Sequence, residues 1–232
     1  MHRRRGGAAI EFTVVIQIVD DNTGTRTALE RLLKAAGYKT QSFKSADDFL
    51  LAGADQAADC LILDVQLPGM GGMELQKAMA RAGNSLPIIF LTCHGTIPVS
   101  VEAMKAGAVD FLTKPVEKND LLRAVKVAIQ RRETERQTMA QKQVLKNRFA
   151  RLTPREMEVF VLVVRGKMNK QIAAELGTGE QNIKIHRSHV MMKMQADSLA
   201  DLVTIGQRLG ISGQNPAPNT PAPMQTRVLT SA

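Results

Sequence analysis

Five polar residues in the first half of the chain follow short apolar runs, at the places where buried strands would end. They are Asp20 and Asp21 after "FTVVIQIV", Asp64 at the end of "CLILD", Thr92 at the end of "LPIIFLT", and Lys114 in "TKP". In an open parallel sheet, ligands bind at the carboxyl ends of the strands. Each residue alone is better explained as a solvated group or a cap, but their shared position predicts that they converge on one edge.

Three carboxylates held together require a positive partner, because at ~4 Å and an effective dielectric near 20 each pair repels by roughly 4 kcal/mol. A divalent cation removes this repulsion, and hard oxygen ligands with retained waters suit Mg²⁺. Mg²⁺ also neutralises the charge of a phosphoryl group. Asp64 can then act as a nucleophile that becomes a phosphoaspartyl group, while Thr92 and Lys114 bind the phosphoryl oxygens.

The elements that would position these residues alternate between strand and helix. Apolar runs predict strands at 12–19, 39–43, 60–65, 86–92 and 109–113, and helical spacing predicts helices at 25–38, 45–53, 72–83, 97–108 and from 119 onward. Several strands are apolar throughout, which suits a parallel sheet covered on both faces. We therefore predict a doubly wound α/β domain with a five-stranded parallel sheet.

The second half of the chain has a different pattern. Residues 131–150 are charged and contain no Gly or Pro, which predicts a helical connector. Four helices are then predicted at 154–165, 169–176, 180–195 and 198–209. The short helix at 169–176, the turn at Gly177 and the longer helix at 180–195 form a helix-turn-helix pattern, whose longer helix would enter the DNA major groove.

The longer helix is amphipathic, with an apolar inner face at Ile183, Val190 and Met194 and a polar outer face at Gln181, Lys184, Arg187 and Ser188. Charge supports a polyanionic partner for this half. Residues 14–130 contain 12 basic and 13 acidic residues, a net charge of −1, whereas residues 131–210 contain 15 basic and 8 acidic, a net charge of +7. A solvated basic surface is the alternative explanation of this asymmetry.

Composition sets further limits. Cys60 and Cys93 match no metal-binding spacing and are predicted to be buried thiols in a reducing cytosol. No run approaches the ~20 apolar residues of a membrane span, so we expect a cytoplasmic protein without a membrane partner. The predicted domains are a disordered basic arm at 1–12, the α/β domain at 13–130, the connector at 131–150, an all-α domain at 151–210 and a disordered tail at 211–232.

Over about 13–130, the stretches "IVDDN", "LILDVQLPGMGG", "LTCHGT" and "AGAVDFLTKP" resemble the receiver domain of two-component response regulators. The resemblance implies a flavodoxin-like fold in which Asp64 accepts phosphate from a sensor histidine kinase. It implies that Asp21, Asp64 and the backbone carbonyl of Gln66 hold Mg²⁺, with Asp20 nearby through water. It also implies phosphoryl binding by Thr92 and Lys114, a cis Lys114–Pro115 bond, and an aromatic switch at Phe111, for which core packing is the alternative role.

Residues 152–207 resemble the LuxR-type DNA-binding domain, in the stretches "LTPRE", "NKQIA", "IKIHRSHVM" and "SLADLV". The resemblance implies base contacts by Lys184, Ile185 and Ser188, and phosphate contacts by Lys170, Gln181, Asn182 and His186. Phosphate contacts supply salt-dependent affinity, and base contacts supply sequence choice. The helix at 198–209 is similar to the family's dimerisation helix, with packing inside the domain as its competing role.

Several positions depart from these families. Asn22 stands where a third acidic residue is frequent, and Cys93 follows Thr92 where a smaller Ala or Gly is common. His94 lies two residues beyond Thr92 in a stretch that resembles a loop turn, so we do not expect it to be catalytic. These departures bear on the lifetime of the phosphate. In the second domain, Thr178 replaces a usual apolar residue, and Gly179 replaces a usual Ser cap at a cost of a few tenths of a kcal/mol.

Together the two resemblances place the chain in the FixJ/NarL class of response regulators, nearest to the FixJ branch. Phosphorylation of Asp64 would promote dimerisation and binding to double-stranded promoter DNA, with RNA polymerase as a further partner. A hydrolase that turns over phosphate at the acidic site is one alternative, although no segment resembles a substrate pocket. A constitutive DNA-binding protein with a receiver that serves only as a dimerisation scaffold is the other.

Overall fold

Residues 14–53, 58–93 and 95–211 are described by a computed structural model of the chain. The arm predicted at 1–12, nearly all of the tail predicted at 211–232, and His94 lie outside these described residues. The chain divides into two units, Met1–Gln137 and Thr138–Ala232, and each unit is described by itself.

The first unit alternates strands and helices along the described chain. The strands are β1 (Val15–Val19), β2 (Lys39–Phe43), β3 (Cys60–Asp64), β4 (Ile88–Thr92) and β5 (Asp110–Thr113). The helices are α1 (Thr23–Ala35), α2 (Ala46–Leu51), α3 (Gly72–Arg81), α4 (Ile97–Lys105) and α5 (Lys118–Phe149). The strands form a parallel sheet in the order β2-β1-β3-β4-β5. The predicted five-stranded parallel α/β fold is confirmed.

Both faces of this sheet are buried. On one face, Ile16, Ile18 and Ile62 pack with Leu33 of α1 and Val125 of α5. On the other face, Leu61, Leu63 and Phe90 pack with Phe49 of α2 and Leu75 of α3. Two apolar layers require strands that are apolar at every position, which explains why β3 and β4 lack the alternation of a half-exposed strand.

Helix α1 begins two residues earlier than the sequence pattern predicts. The side chain of Asn22 accepts a hydrogen bond from the backbone N–H of Thr25, so Asn22 is the N-cap. The first backbone N–H groups of a helix have no carbonyl within the helix to bond to, and the Asn side chain accepts from one of them. Asp would cap the helix about as well as Asn, so the cap explains where α1 begins but not the departure from the usual acidic residue.

The second unit contains the end of α5 and four further helices: α6 (Pro154–Val164), α7 (Asn169–Glu175), α8 (Glu180–Met194) and α9 (Leu199–Arg208). Their core includes Val159, Phe160, Ile172, Ile183 and Leu202. Thr153 and Glu156 form a capping box at the start of α6. Residues 131–149, predicted as a connector, continue α5 without a break.

The two cysteines differ in environment. Cys60 is buried in β3, and burial raises the pKa of its thiol far above its usual range. Cys93 is exposed, so the prediction of two buried thiols is wrong for this residue. The reason is its position, because Cys93 follows the last residue of β4, where the chain has left the covered sheet.

Candidate functional site

The predicted acidic residues meet at the carboxyl edge of the sheet. One carboxylate oxygen from each of Asp20, Asp21 and Asp64 lies within 4.8 Å of the others. Asp20 and Asp64 are buried and Asp21 is exposed. The ammonium nitrogen of Lys114 lies 2.6 Å from Oδ2 of Asp20 and 2.5 Å from Oδ2 of Asp64. Four residues from three strand ends are therefore in one cluster.

Strand order explains this convergence. β1 and β3 are neighbours with Val19 opposite Leu63, so Asp20 and Asp64 come next on adjacent strands. β4 separates β3 from β5, and the backbone N–H of Lys114 donates to the carbonyl of Thr92 at 2.8 Å. The Lys114–Pro115 bond is cis, as the resemblance implies.

The loop after β3 holds Asp64 in place. The backbone N–H of Gln66 donates to Oδ1 of Asp64 at 3.0 Å, so this carboxylate has one oxygen on the backbone and one on Lys114. Gly72 begins α3 so close to the strand that a Cβ there would lie 2.1 Å from the carbonyl oxygen of Asp64. Only glycine permits this approach, which gives "PGMGG" a structural reason.

Charge at the site favours a divalent cation. Burial lowers the pKa of Lys114, but hydrogen bonds to Asp20 and Asp64 outweigh burial, and the pKa is raised overall. Lys114 is therefore a cation that offsets one of three negative charges. Carboxylate oxygens are hard ligands of the kind that Mg²⁺ prefers, so the three clustered aspartates fit this ion.

Gly95, which the sequence pattern did not single out, lies against the side chains of both Thr92 and Phe111. Thr92 is fully buried, and the ring of half-buried Phe111 lies 6.2 Å from that of Phe90. A Cβ at Gly95 would lie 2.9 Å from Cε1 of Phe111 and 3.2 Å from Cγ2 of Thr92. Gly95 therefore lies against both residues, and the only signal for it was the Gly in "LTCHGT".

On α8, the predicted inner and outer faces are separated as expected. Ile183, Val190 and Met194 are buried, which confirms the inner face. The predicted contact residues that are exposed on or beside this helix are Lys170, Gln181, Asn182, Lys184, Ile185 and Ser188, while His186 is half-buried. Arg187 differs from the rest of the polar face, because its guanidinium donates to Oδ1 of Asn169 on α7 at 2.9 Å.

Glu156 has a second role that the sequence pattern did not reveal. Its carboxylate accepts from the backbone N–H of Thr153 and from Nζ of Lys193 on α8, at 2.8 and 2.6 Å. Nδ1 of His189 lies 3.7 Å from the other oxygen. Burial raises the pKa of Glu156, but the hydrogen bonds from Lys193 and Thr153 outweigh burial and hold it below its ordinary value. One buried carboxylate thus caps α6 and ties it to α8.

The two proposed roles of α9 fall on different residues. Leu202 and Ile205 are buried in the core of the second unit, so packing is their role. Leu199 is 46% exposed and Val203 is half-buried. Of the four apolar residues, only Leu199 and Val203 therefore remain accessible on the surface of α9.

Two protein-family models match this chain. Residues 16–126 match the response regulator receiver domain, and residues 150–213 match the bacterial regulatory proteins of the luxR family. The fold and the site thus define a receiver joined to a LuxR-type DNA-binding domain. The chain belongs to the two-component response regulators of this architecture, a family of transcriptional regulators rather than enzymes.

Known regulatory proteins are similar to this chain over nearly their whole length. The chain is 44% identical over 214 residues to nodulation protein W of Bradyrhizobium diazoefficiens, covering 92% of this chain and 94% of that protein. It is 39% identical over 196 residues to the transcriptional regulatory protein FixJ of the same organism, covering 84% and 96%.

Solved structures of response regulators also superpose on most of this chain. The response regulator StyR superposes with a TM-score of 0.73 at 41% identity, covering 84% of this chain and 99% of that one. Full-length FixJ from B. japonicum superposes with a TM-score of 0.53 at 39% identity, covering 85% and 98%. Across the described ranges, every helix is too short or too polar to cross a membrane.

Proposed function

We propose that Asp64 is the phosphoacceptor of this response regulator and that a sensor histidine kinase is the donor. A carboxylate oxygen of Asp64 bonds to the phosphorus atom, and the bond from phosphorus to the donor imidazole nitrogen breaks. The imidazole leaves with the electron pair and takes up a proton. The observation that carries this proposal is the buried contact of Lys114 with both Asp20 and Asp64.

Asp21, Asp64 and the backbone carbonyl of Gln66 would hold Mg²⁺, with Asp20 nearby through water. The ion supplies charge neutralisation for the phosphoryl group. Lys114 exchanges its bond to Asp64 for one to a phosphoryl oxygen, a charge-assisted contact of the same kind. Thr92, fully buried beside the site, moves its hydroxyl toward the phosphoryl group.

The switch follows from the packing around Gly95. When Thr92 moves toward Asp64, space opens beside Phe111, whose ring lies close to Gly95. The neighbouring helix α4 exposes Ile97, Val101 and Met104, with 80%, 45% and 46% of their surface accessible. Their spacing places them on one helical face, and we propose that this face becomes the dimerisation surface.

The phosphorylated dimer then binds promoter DNA in the bacterial cytoplasm and recruits RNA polymerase. Lys184, Ile185 and Ser188 are assigned to base edges, and Lys170, Gln181, Asn182 and His186 to phosphates. A recognition helix with exposed polar residues and a buried opposite face supports this assignment. Leu199 and Val203 on α9 are assigned to a second dimer contact.

Sedimentation velocity of the full chain with Mg²⁺, with and without acetyl phosphate, tests the proposal. We expect a shift from monomer to dimer that needs the donor, with one phosphoryl group gained by intact mass. Asp64→Asn should abolish both changes, and Asp120→Asn, at an exposed position on α5, should leave both intact. DNA binding that is unaffected by donor and by Asp64→Asn would instead favour a constitutive regulator.

A further inference from the structure

Helix α5 carries three arginines near the opposite, amino edge of the sheet, far in sequence from what they contact. The guanidinium of Arg136 binds the carboxylate of Asp59 and donates to the carbonyl of Ala58 at 3.2 Å. Arg132 donates to the hydroxyl of Ser85 at 3.0 Å. Arg131 donates to the carbonyl of Gly107 at 3.1 Å. These arginines therefore contact the segments that precede β3, β4 and β5.

Asp59 is the buried anchor of this arrangement. Only 7% of Asp59 is exposed, and its second oxygen accepts the backbone N–H of Val15 at 2.9 Å, at the start of β1. A buried carboxylate is tolerated only while it is paired, because removing one partner leaves an uncompensated charge. The buried carboxylate of Asp59 thus holds Arg136 at the amino edge of the sheet.

The contact of Arg131 is with the end of α4. Gly107 follows α4 in a left-handed conformation with φ of 93°, and its carbonyl accepts from Arg131. The side-chain amide of Gln76 on α3 donates to the carbonyls of Ala103 and Ala106 at 3.4 and 3.3 Å. Backbone N–H groups of Ala106, Gly107 and Ala108 already cap the last carbonyls of α4. The side chains of Gln76 and Arg131 therefore add contacts from α3 and α5 to the turn that ends this helix.

This junction also has room to rearrange. A cavity of about 120 Å³ is lined by residues that include Gln76, Gly107, Arg131 and Glu135. Among the described residues, Oε1 of Gln76 and Oε2 of Glu135 are buried without a hydrogen-bond partner. Unpaired buried acceptors favour any shift that brings them a donor. The end of α4 therefore has space beside it for a small movement, next to two acceptors that lack a donor.

We propose that Arg131, Arg132 and Arg136 form a clamp that holds the beginning of the 131–149 helical segment against the receiver, and that Arg131 links the position of α4 to α5. The clamp stands on contacts within the first unit alone. The link to α4 rests on the proposed function, in which phosphorylation of Asp64 changes the surface of α4. Arg131 is then a positioning residue that acts through Gly107.

Amide hydrogen exchange of the full unphosphorylated chain tests the clamp. We expect amides of 132–140 to exchange at least tenfold faster in Asp59→Asn and in Arg136→Gln than in the wild type. Arg123→Gln is the matched control, because Arg123 lies on the same helix in an exposed pair with Asp120. Unchanged exchange of 132–140 in both clamp variants would overturn the clamp.

Protection of β3 and β4 amides in the same experiment separates local release from global unfolding. If Asp59→Asn unfolds the receiver, Arg136→Lys becomes the test of the clamp. This variant keeps the positive charge but cannot contact both Asp59 and the carbonyl of Ala58 through a planar guanidinium. Faster exchange confined to 132–140 in this variant supports the clamp. Wild-type exchange there contradicts it.

The link to α4 is tested with Mg²⁺ and acetyl phosphate. In the wild type, we expect the donor to change exchange of 131–137, and Arg131→Gln should lose this response while still gaining one phosphoryl group by intact mass. A full response in Arg131→Gln would refute the link. Failure of the wild type to gain a phosphoryl group would refute the proposed function and the link with it, while the clamp stands on the unphosphorylated measurement.

Discussion

The ammonium nitrogen of Lys114 lies 2.5 Å from a carboxylate oxygen of Asp64, although the two residues are 50 positions apart in the chain. The same nitrogen lies 2.6 Å from Asp20. A cation of the protein itself thus offsets the buried part of the acidic cluster, while exposed Asp21 remains open to solvent. In the proposed function, a phosphoryl group on Asp64 draws Lys114 away from this resting arrangement.

Replacing Lys114, one of the proposed phosphoryl-binding residues, should destabilise the receiver. Removing one partner of a buried ion pair leaves an uncompensated charge, and we expect Lys114→Met to lower the free energy of unfolding by about 3 kcal/mol. Urea unfolding at neutral pH measures this. Added Mg²⁺ should recover part of the loss by replacing the missing positive charge. A loss indistinguishable from that of Lys118→Met, at an exposed position, would contradict this account.

The pH dependence of Lys114 has a definite sign. Because its pKa is raised above 10.5 in the folded chain, its contribution to stability is complete below 10.5 and is lost as the pH rises through the raised value. Wild-type unfolding free energy should therefore fall more steeply than that of Lys114→Met above this pH. Parallel curves for the two proteins would exclude a stabilising charge on Lys114.

Glu156 should make the second unit sensitive to acid. Because its pKa lies below 4.5, its contribution is present above 4.5 and is lost as the pH falls through the lowered value. Urea unfolding of the second unit from pH 7 to pH 3 should show a loss of stability below 4.5 that is smaller in Glu156→Gln. Glu158→Gln, with 52% of its side chain exposed, should behave as the wild type. Identical acid profiles for Glu156→Gln and the wild type would count against the tie to α8.

The salt dependence of DNA affinity should distinguish residues of the second unit that contact phosphates from residues that contact bases. Lys170→Ala should weaken binding to all duplexes equally and reduce the slope of log affinity against log salt by about 1. Ser188→Ala should leave that slope unchanged and alter the preference between sequences. Fluorescence anisotropy with specific and unrelated duplexes at several salt concentrations measures both. An unchanged slope in Lys170→Ala would remove Lys170 from the phosphate-binding set.

Gly95 should be intolerant of even one added carbon. A Cβ there would lie 2.9 Å from Phe111 and 3.2 Å from Thr92, so Gly95→Ala displaces the ring and costs about 1–3 kcal/mol of stability. We expect altered dimerisation by sedimentation velocity while Asp64 still accepts a phosphoryl group. Gly179→Ala is the control for added volume, since a Cβ at that position meets nothing within 4 Å and the weaker N-cap that it gives α8 lies in the other unit. A wild-type dimerisation response in Gly95→Ala would dissociate Phe111 from the switch.

Local patterns predicted most elements within a few residues of their observed bounds. The structure contains the apolar strand β3, the Ser45 cap of α2 and the Thr153–Glu156 capping box of α6, and each depends only on residues that are close in the chain. Two features differ from expectation, the first residue of α1 and the exposure of Cys93. Helix α1 starts earlier because Asn22 caps it, and Cys93 is exposed because the covered part of β4 ends at Thr92.

The sequence by itself determined which residues stand at strand ends and which helix face is polar, because both depend on spacing along the chain. Tertiary structure decided the partners. The contact of Asp59 with Arg136, 77 positions apart, and the tie of Glu156 to Lys193, 37 positions apart, have no local signature. A buried charge needs a partner, but the chain reveals which partner only when strand order and helix packing bring the two together.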